Sequence, residues 1–359
     1  MTSPDQLLTA PVPSDADGNE NPNHPDRTQE TSVPMNPIDP TRYGQVAVVT
    51  GGWSQERDRS LASSKAVLEA LAELGIRTKT IDLEVDRETL ATDLGGSDVA
   101  MLAIAGQGAE DGALQGLLET LGIPYTGSGV LASALGMNKV AAKKIISWTG
   151  VHTARDYQIA PNAPVDQVAG QIETEIGYPL IIKPLSEGGS IGLALVRERG
   201  ELTAALTAGA ATDLMAEQYV DGRSVSVGVL EGEEGPVALS PLETEAPGGL
   251  YDYEAKRIPG QALYHCPARL PDTVLQSLRR AAVTAHKALG CSGYSRHDFV
   301  MQDDVKPFWL EVNTLPGLTR VGNLARMADA DGISYTQLIA HILSTASVRR
   351  QVSLVGIGA

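Results

Sequence analysis

Two short runs near the C-terminal end, residues 294–301 (YSRHDFVM) and 307–313 (PFWLEVN), constrain what this chain can fold into more than any other feature. They read as the two strands of a hairpin. Residues two apart on a strand point to the same face, so Glu311 and Asn313 act together, with Asp298 across the hairpin. All three offer oxygen, the ligand chemistry that Mg²⁺ takes when it bridges carboxylates and nucleotide phosphates. Arg296, two residues before Asp298, brings a fixed positive charge to the same face. The turn Leu315, Pro316, Gly317 then offers backbone N–H groups beside that cluster. The plainer alternative is an amphipathic hairpin with a solvated charged face.

Charge narrows the choice of partner. A formal net charge of −16 argues against nucleic acid or an anionic membrane, since either needs a basic surface. An acidic protein that handles phosphates should concentrate its few cations at one site and recruit metal. The 359 residues suit two or three compact units. Cys266 and Cys291 give neither zinc spacing nor a disulfide framework, and read as buried thiols in a reducing cytosol. No apolar run reaches about 18 residues and no basic-then-apolar leader opens the chain, so a cytoplasmic protein is expected. Eight of the 21 prolines fall in the first 40 residues, among Asp, Asn, Ser and Thr. Such a segment buries too little apolar surface to offset its ordering entropy. A disordered tail is therefore expected over residues 1–42, with Met35 as an alternative start.

From Gln45 the pattern turns α/β. An apolar run from Val46 (VAVVTGG) reads as a buried parallel strand. A helix over residues 60–74, strands over 78–83 and 98–103, a glycine-rich loop over 106–112 and a helix over 113–121 follow. This alternation implies a parallel sheet with ligand loops at its carboxyl edge, and residues 43–130 form the first unit. The second, 131–221, has one helix over 133–148 carrying Lys139, Lys143 and Lys144, then strands over 178–184 and 191–196. The link between those strands includes Glu187, Gly188, Gly189 and Ser190, small enough to close over phosphates with backbone N–H donors. The third, 222–347, has a strand SVSVGVL from Ser224, a polar loop over 244–261, a helix over 272–289, the hairpin and a last helix over 334–345. Residues 348–359 form a C-terminal tail. Lys183 lies inside an apolar strand, which is costly unless it meets an anion. A phosphate is expected there rather than a structural salt bridge. With Lys139, Glu311 and Asn313, the pattern reads as ATP held between two α+β units with Mg²⁺ at its phosphates.

Five motifs in order carry a family resemblance: GGWSQERDRSL from Gly51, GAEDGALQGLLETLGIPYTGSGVLASALGMNK from Gly108, IIKPLSEGGSIG from Ile181, YDYEAK from Tyr251 and LEVNTLPGLT from Leu310. Over residues 46–345 the chain resembles the ATP-grasp superfamily and, within it, the D-alanine–D-alanine ligases. The resemblance implies an α/β chain in which a Rossmann-like parallel unit precedes two α+β units that hold ATP. Lys139 and Lys183 would meet its phosphates, Glu217 and Val220 would flank the backbone that holds adenine, and Glu187, Gly188, Gly189 and Ser190 would close over the phosphates. Two Mg²⁺ (or Mn²⁺) ions would sit on Asp298, Glu311 and Asn313. An acyl phosphate would form on the first amino acid and be attacked by the amine of the second. Arg296 and the Gly317 N–H would stabilise the oxyanion, the kind of donor pair acyl transfer needs. Glu56 would hold the first ammonium, and Lys256 would reach in from a loop that excludes water. A homodimer through the first unit is a further expectation.

The departures from the family pattern cluster. Ala105 stands where a His is usual, Arg257 where a Tyr follows the loop EAK, and Gly189 where the phosphate turn has Ser. Gly322 and Asn323 replace a Ser-Leu that meets the second substrate's carboxylate. Ser224 replaces a Glu that meets the ribose, and Arg59 sits where a small or apolar residue is usual. Phosphoryl-transfer residues are kept while amino-acid contacts change. The expectation is a dipeptide ligase of altered specificity, serving specialised metabolism. The alternatives are an ordinary D-alanine–D-alanine ligase of peptidoglycan synthesis and, in another class, a nucleotide-binding protein without turnover.

Overall fold

In the computed structural model, which describes residues 38–186, 192–245 and 262–349, the apolar run after Gln45 becomes the central strand of a parallel sheet. β1 (Gln45–Thr50) lies between β2 (Arg77–Asp82) and β3 (Val99–Leu102). Val46, Ala47, Val48 and Val49 are fully buried, because both faces of the strand are covered; that is why the run is continuous rather than alternating. α1 (Arg57–Glu73) buries Ala66, Val67, Ala70 and Leu71. α2 (Leu90–Gly95), absent from the sequence reading, precedes β3, and α3 (Ala113–Leu121) follows the glycine-rich loop. That loop needs its glycines: Gly112 has φ +94°, and a Cβ there would lie 2.8 Å from the Val130 carbonyl oxygen.

The single helix expected over residues 133–148 is two, α4 (Val130–Met137) and α5 (Lys139–Ser147). Asn138 leaves the helical region, at φ −93° and ψ 94°, and its side-chain oxygen accepts the Ala141 N–H. An N-cap thus wins over continuation, and Lys139 opens a helix instead of lying inside one.

The second sheet is antiparallel, ordered β4 (Asp156–Ile159), β7 (Leu214–Gln218), β5 (Leu180–Pro184), β6 (Ala194–Val196). α6 (Val165–Glu175) and α7 (Arg199–Ala208) cover it through Val168, Ile172, Leu202 and Leu206. The third sheet is formed by β8 (Arg223–Gly232), β9 (Gly235–Ala238), β10 (Leu242–Glu245), β11 (Leu263–His265), β12 (Tyr294–Gln302) and β13 (Lys306–Asn313). Its order is β11-β10-β8-β12-β13, with β9 on β8. α8 (Asp272–Leu289) packs Leu278, Ala282 and Ala285 into one cluster with Phe299, Met301 and Trp309. Alternate residues of β12 therefore face this core while Arg296 and Asp298 face the other way. α9 (Asn323–Ala330) and α10 (Tyr335–Ser344) close the described chain, the latter opened by a Ser334/Gln337 capping box. Their apolar faces join the core under the first sheet.

Residue His297 sits on the core face of β12 in a buried polar chain. Trp309 Nε1 donates to His297 Nδ1 (3.2 Å), and Ser295 Oγ bridges His297 Nε2 (3.0 Å) and His286 Nδ1 (2.7 Å). Burial holds His297 down at about 3, so its ring is neutral and stitches the hairpin to α8.

Both cysteines are free thiols, Cys291 buried and Cys266 partly so. Residues 38–42, within the stretch expected to be a tail, include the start of a short 3-10 helix, Pro40–Tyr43, capped by Asp39. The rest of that tail, Met35, residues 350–359, the turn of Glu187, Gly188, Gly189 and Ser190, and Lys256 and Arg257 lie outside the described residues.

Candidate active site

Register fixes the hairpin cluster. Asp298 is paired with Glu311 and Arg296 with Asn313, which puts all four side chains on one face. Arg296 Nε and Nη2 donate to Asp298 Oδ1 and Oδ2, each at 2.9 Å. Ser226 Oγ, from the neighbouring strand β8, donates to Asp298 Oδ1 at 2.7 Å. The carboxylate is thus oriented from two sides before any ligand arrives. Asn313 Oδ1 accepts the Leu315 N–H at 3.0 Å, setting the path of the turn that carries Gly317. Lys139 Nζ stands 3.6 Å from Glu311 Oε2.

These groups face a cavity of about 570 Å³. Lys183, Glu217, Val220 and Ser224 line it from the second and third sheets, and Gly317, Gly322 and Asn323 from the turn after β13. Glu56 and Arg59 reach it from the start of α1. Most of the residues named from sequence are thus gathered around one cavity. Ala105 does not line the cavity; its N–H donates to Ser60 Oγ (3.0 Å) and its carbonyl accepts from Ser54 Oγ (3.2 Å).

Lys183 does not await a phosphate in the way expected. Its Nζ lies 2.6 Å from Glu217 Oε2, and Lys143 pairs with the other oxygen of the same carboxylate. The register explains this: Ile181 on β5 and Asp156 on β4 both lie opposite Glu217 on β7, so Lys183 is its diagonal neighbour. Burial alone would raise Glu217, but Lys183 and Lys143 outweigh it and hold the carboxyl at about 2. Burial pulls Lys183 down while Glu217 and Glu311 push it up, and the net shift is upward. Both partners point to a charged pair.

Two outcomes follow. Lys143 is 1 % exposed, but Lys183 stays on Glu217 when it is removed, so Lys143→Met should lower the unfolding free energy by about 1.5–3 kcal/mol, the weight of one hydrogen bond to a charged group; denaturant unfolding measures it. Because the folded pKa of Glu217 is depressed, its contribution is present above the ordinary value of 4.5. It is lost as pH falls from there toward about 2. The same titration of stability should be flatter in Lys143→Met.

Glu56 is 8 % exposed and takes Arg59 Nη1 at 2.9 Å. The changed residue Arg59 thus supplies a cation to the carboxylate assigned to the first ammonium. Arg320 is committed elsewhere: it lies 2.9 Å from Glu73 and 3.6 Å from Glu69 on α1, and stacks 4.6 Å over Tyr335. Gly322 caps α9, its N–H donating to Thr319 O at 3.0 Å. The turn is tied down by Ser63 Oγ, which accepts the Leu318 N–H at 3.2 Å.

Ser63, Ser226 and Glu110 are not picked out from sequence, and Lys143 is placed there on a helix without a role. Of these only Glu110 carried a signal, as an acid inside the loop motif from Gly108. It is buried, and its Oε2 accepts the Gly106 N–H at 2.6 Å. Burial and Glu56 push it up to about 8, against the pull of Arg296 and Arg59.

Among the described residues no three His, Cys, Asp or Glu side chains gather into a metal site. Two carboxylates and one amide oxygen leave a divalent shell incomplete. That fits Mg²⁺, which completes its octahedron on phosphate oxygens and water.

Comparison with known proteins gives the chain a family. Residues 131–344 match the family model described as D-ala D-ala ligase C-terminus. The D-alanine–D-alanine ligase of Anaeromyxobacter dehalogenans (strain 2CP-C) is 41% identical over 309 residues, covering 85% of this chain and 97% of that protein. This chain belongs to the D-alanine–D-alanine ligase family. The ligase of Geotalea uraniireducens (strain Rf4) is 39% identical, covering 87% and 98% of the two chains. Among solved structures, the D-alanine–D-alanine ligase from Bacillus anthracis superposes with a TM-score of 0.72 at 30% identity, over 84% of this chain and 97% of that one. The VanG D-Ala:D-Ser ligase from Enterococcus faecalis gives 0.73 at 28% identity, over 84% and 99%. The fold is the ATP-grasp fold of this ligase family, and the chain is an ATP-dependent ligase. Altered specificity is not shown by these comparisons: the two relatives matched at about 40% identity carry the ordinary ligase name, and VanG is named for D-Ala:D-Ser. Among the described residues no helix is long and apolar enough to cross a membrane.

Proposed function

We propose that this ligase joins two molecules of D-alanine in the cytoplasm, for peptidoglycan synthesis, with ATP cleaved to ADP and phosphate. The observation that carries the reading is the hairpin quartet of Arg296, Asp298, Glu311 and Asn313 in a family whose near-full-length relatives bear that name. Mg²⁺ on Asp298, Glu311 and Asn313 would neutralise the transferring phosphoryl group. Lys139 lies near enough to Glu311 to reach the same phosphates. Lys183 would exchange its tie to Glu217 for a share in phosphate. Residues 217–220 would hold adenine on the cavity wall, with Ser224 at the ribose.

Glu56 would take the ammonium of the first D-alanine, with Arg59 beside it limiting the negative charge. Arg296 and the Gly317 N–H would donate to the oxyanion when the second amine adds. The turn of Glu187 to Ser190 and Lys256 belong to the proposal through resemblance alone, as does a homodimer through the first α/β unit. The test is D-alanine-dependent release of ADP and phosphate in equal amounts with one dipeptide. ADP release indifferent to amino acid would overturn it.

A second reading keeps a different acceptor. Three local observations favour it: Gly322 has no hydroxyl, Ala105 is off the wall, and Arg320 is engaged with Glu69 and Glu73. A hydrogen bond to a charged group is worth about 1.5–3 kcal/mol, so D-alanine would bind weakly as acceptor. A Ser at position 322 (Gly322→Ser) should then lower the acceptor KM for D-alanine about tenfold or more. An unchanged KM would remove this reading.

A further inference from the structure

The acceptor amine poses a chemical problem that none of the roles above solves. It arrives as an ammonium, which has no lone pair until a proton leaves. The other carboxylates buried or half-buried around the cavity are engaged: Glu56 with Arg59, Asp298 with Arg296 and Ser226, Glu311 beside Lys139, Glu217 with two lysines. Glu110 differs. It lies on the cavity wall, buried, and its hydrogen bond is to a backbone N–H of its own loop.

The groups that face it come from three elements. Glu56 and Arg59 stand at the start of α1, Arg296 and Tyr294 on β12, and the Gly106 N–H in its own loop. Gly106 joins the two acids: its N–H is held by Glu110, and a Cβ built on it would lie 3.4 Å from Glu56 Oε2. Glu110 thus faces both the carboxylate assigned to the first substrate and the arginine assigned to the oxyanion.

We propose that Glu110 is the base that accepts the proton of the second substrate's ammonium. This rests on the ligase reading above. In the step, an N–H bond breaks and its proton passes to the Glu110 carboxylate. The freed lone pair forms the C–N bond at the carbonyl carbon of the acyl phosphate. The carbon–oxygen bond to phosphate then breaks with its electron pair, and the nitrogen's second proton leaves with it as hydrogen phosphate. Burial and the neighbouring Glu56 lift Glu110 to about 8, near the working range in which a general base is most effective. A first-substrate ammonium on Glu56 would remove part of that repulsion and make the carboxylate form more available.

The experiment uses Glu110→Gln in the full chain, whose amide oxygen can still accept the Gly106 N–H. Dipeptide formation should fall about 10²–10⁴-fold, the usual weight of general-base catalysis. D-alanine-dependent positional isotope exchange in ATP, which reads acyl phosphate formation, should persist. Hydroxylamine, a neutral acceptor that needs no base, should still yield hydroxamate at close to the wild-type rate. Dipeptide formation near the wild-type rate with an unshifted pH profile would overturn the proposal, as would equal loss of dipeptide, exchange and hydroxamate. Should Glu110→Gln not fold, Glu110→Asp carries the same comparison: a larger loss with D-alanine than with hydroxylamine supports it, and an equal loss overturns it. Absence of D-alanine-dependent exchange in the wild type would instead sink the ligase reading.

Discussion

Glu311→Ala stops nucleotide turnover, with amino-acid-dependent ADP release down by about 10³-fold or more while the fold survives. The carboxylate is paired across the hairpin with Asp298 and stands 3.6 Å from Lys139. With only two carboxylates and one amide on that face, loss of Glu311 removes half of the negative charge available to a cation. A bridging metal contributes several kcal/mol of charge stabilisation in the transition state, so most of the phosphoryl-transfer rate goes with it. The stability cost is smaller by comparison, because Glu311 is 30% exposed although Lys139 is only 9% exposed, which places the pair between exposed ion pairs, worth about 0–1 kcal/mol, and fully buried ones. Parallel thermal melts and coupled ADP assays separate the two effects. Turnover near the wild-type rate would show that the metal assignment is wrong.

Arg296→Met has the second large effect, a fall of about 10²–10³ in kcat, the usual loss when one preorganised oxyanion donor is removed. It also strips Asp298 of both guanidinium bonds, while the Ser226 hydroxyl still donates to it. Arg296→Lys should recover little of the loss, since an ammonium cannot span two carboxylate oxygens as a guanidinium does. Steady-state kinetics decide it: a lower kcat at nearly constant KM for ATP supports an oxyanion role, whereas a KM effect alone would assign Arg296 to nucleotide binding.

The parts of this protein that were legible in the sequence are those where periodicity and chemistry coincide. The continuous run at Val46 reads as a doubly covered strand because both faces really are apolar. The 272–289 helix was read with its observed bounds because its apolar residues repeat at helical spacing. The hairpin was legible because an acid and an amide two apart between apolar neighbours admit few alternatives. Elsewhere local competition decided. Asn138 ends one helix and starts another through its own side chain, a choice that apolar spacing over residues 133–148 does not record. β4, β7 and β9 are short strands whose identity comes from pairing, not from their own pattern.

The site divides in the same way. Lys183 could be recognised as a lysine in need of an anion, but not that Glu217 supplies one, since that depends on the register between β5 and β7. Ser226 and Ser63 are ordinary serines until the sheet and turn bring them to Asp298 and Leu318. Arg59 was visible as a departure; its pairing with Glu56 follows from the three-residue spacing at the start of α1.

The most direct test of the central claim is product identity under competition. The purified ligase is given ATP, Mg²⁺ and an equimolar mixture of D- and L-amino acids, and its dipeptides are resolved by mass and by chirality. The account predicts D-alanyl-D-alanine as the predominant product, formed one for one with ADP. Another dipeptide in clear excess, with D-alanyl-D-alanine scarce even when D-alanine is the sole amino acid, would contradict it.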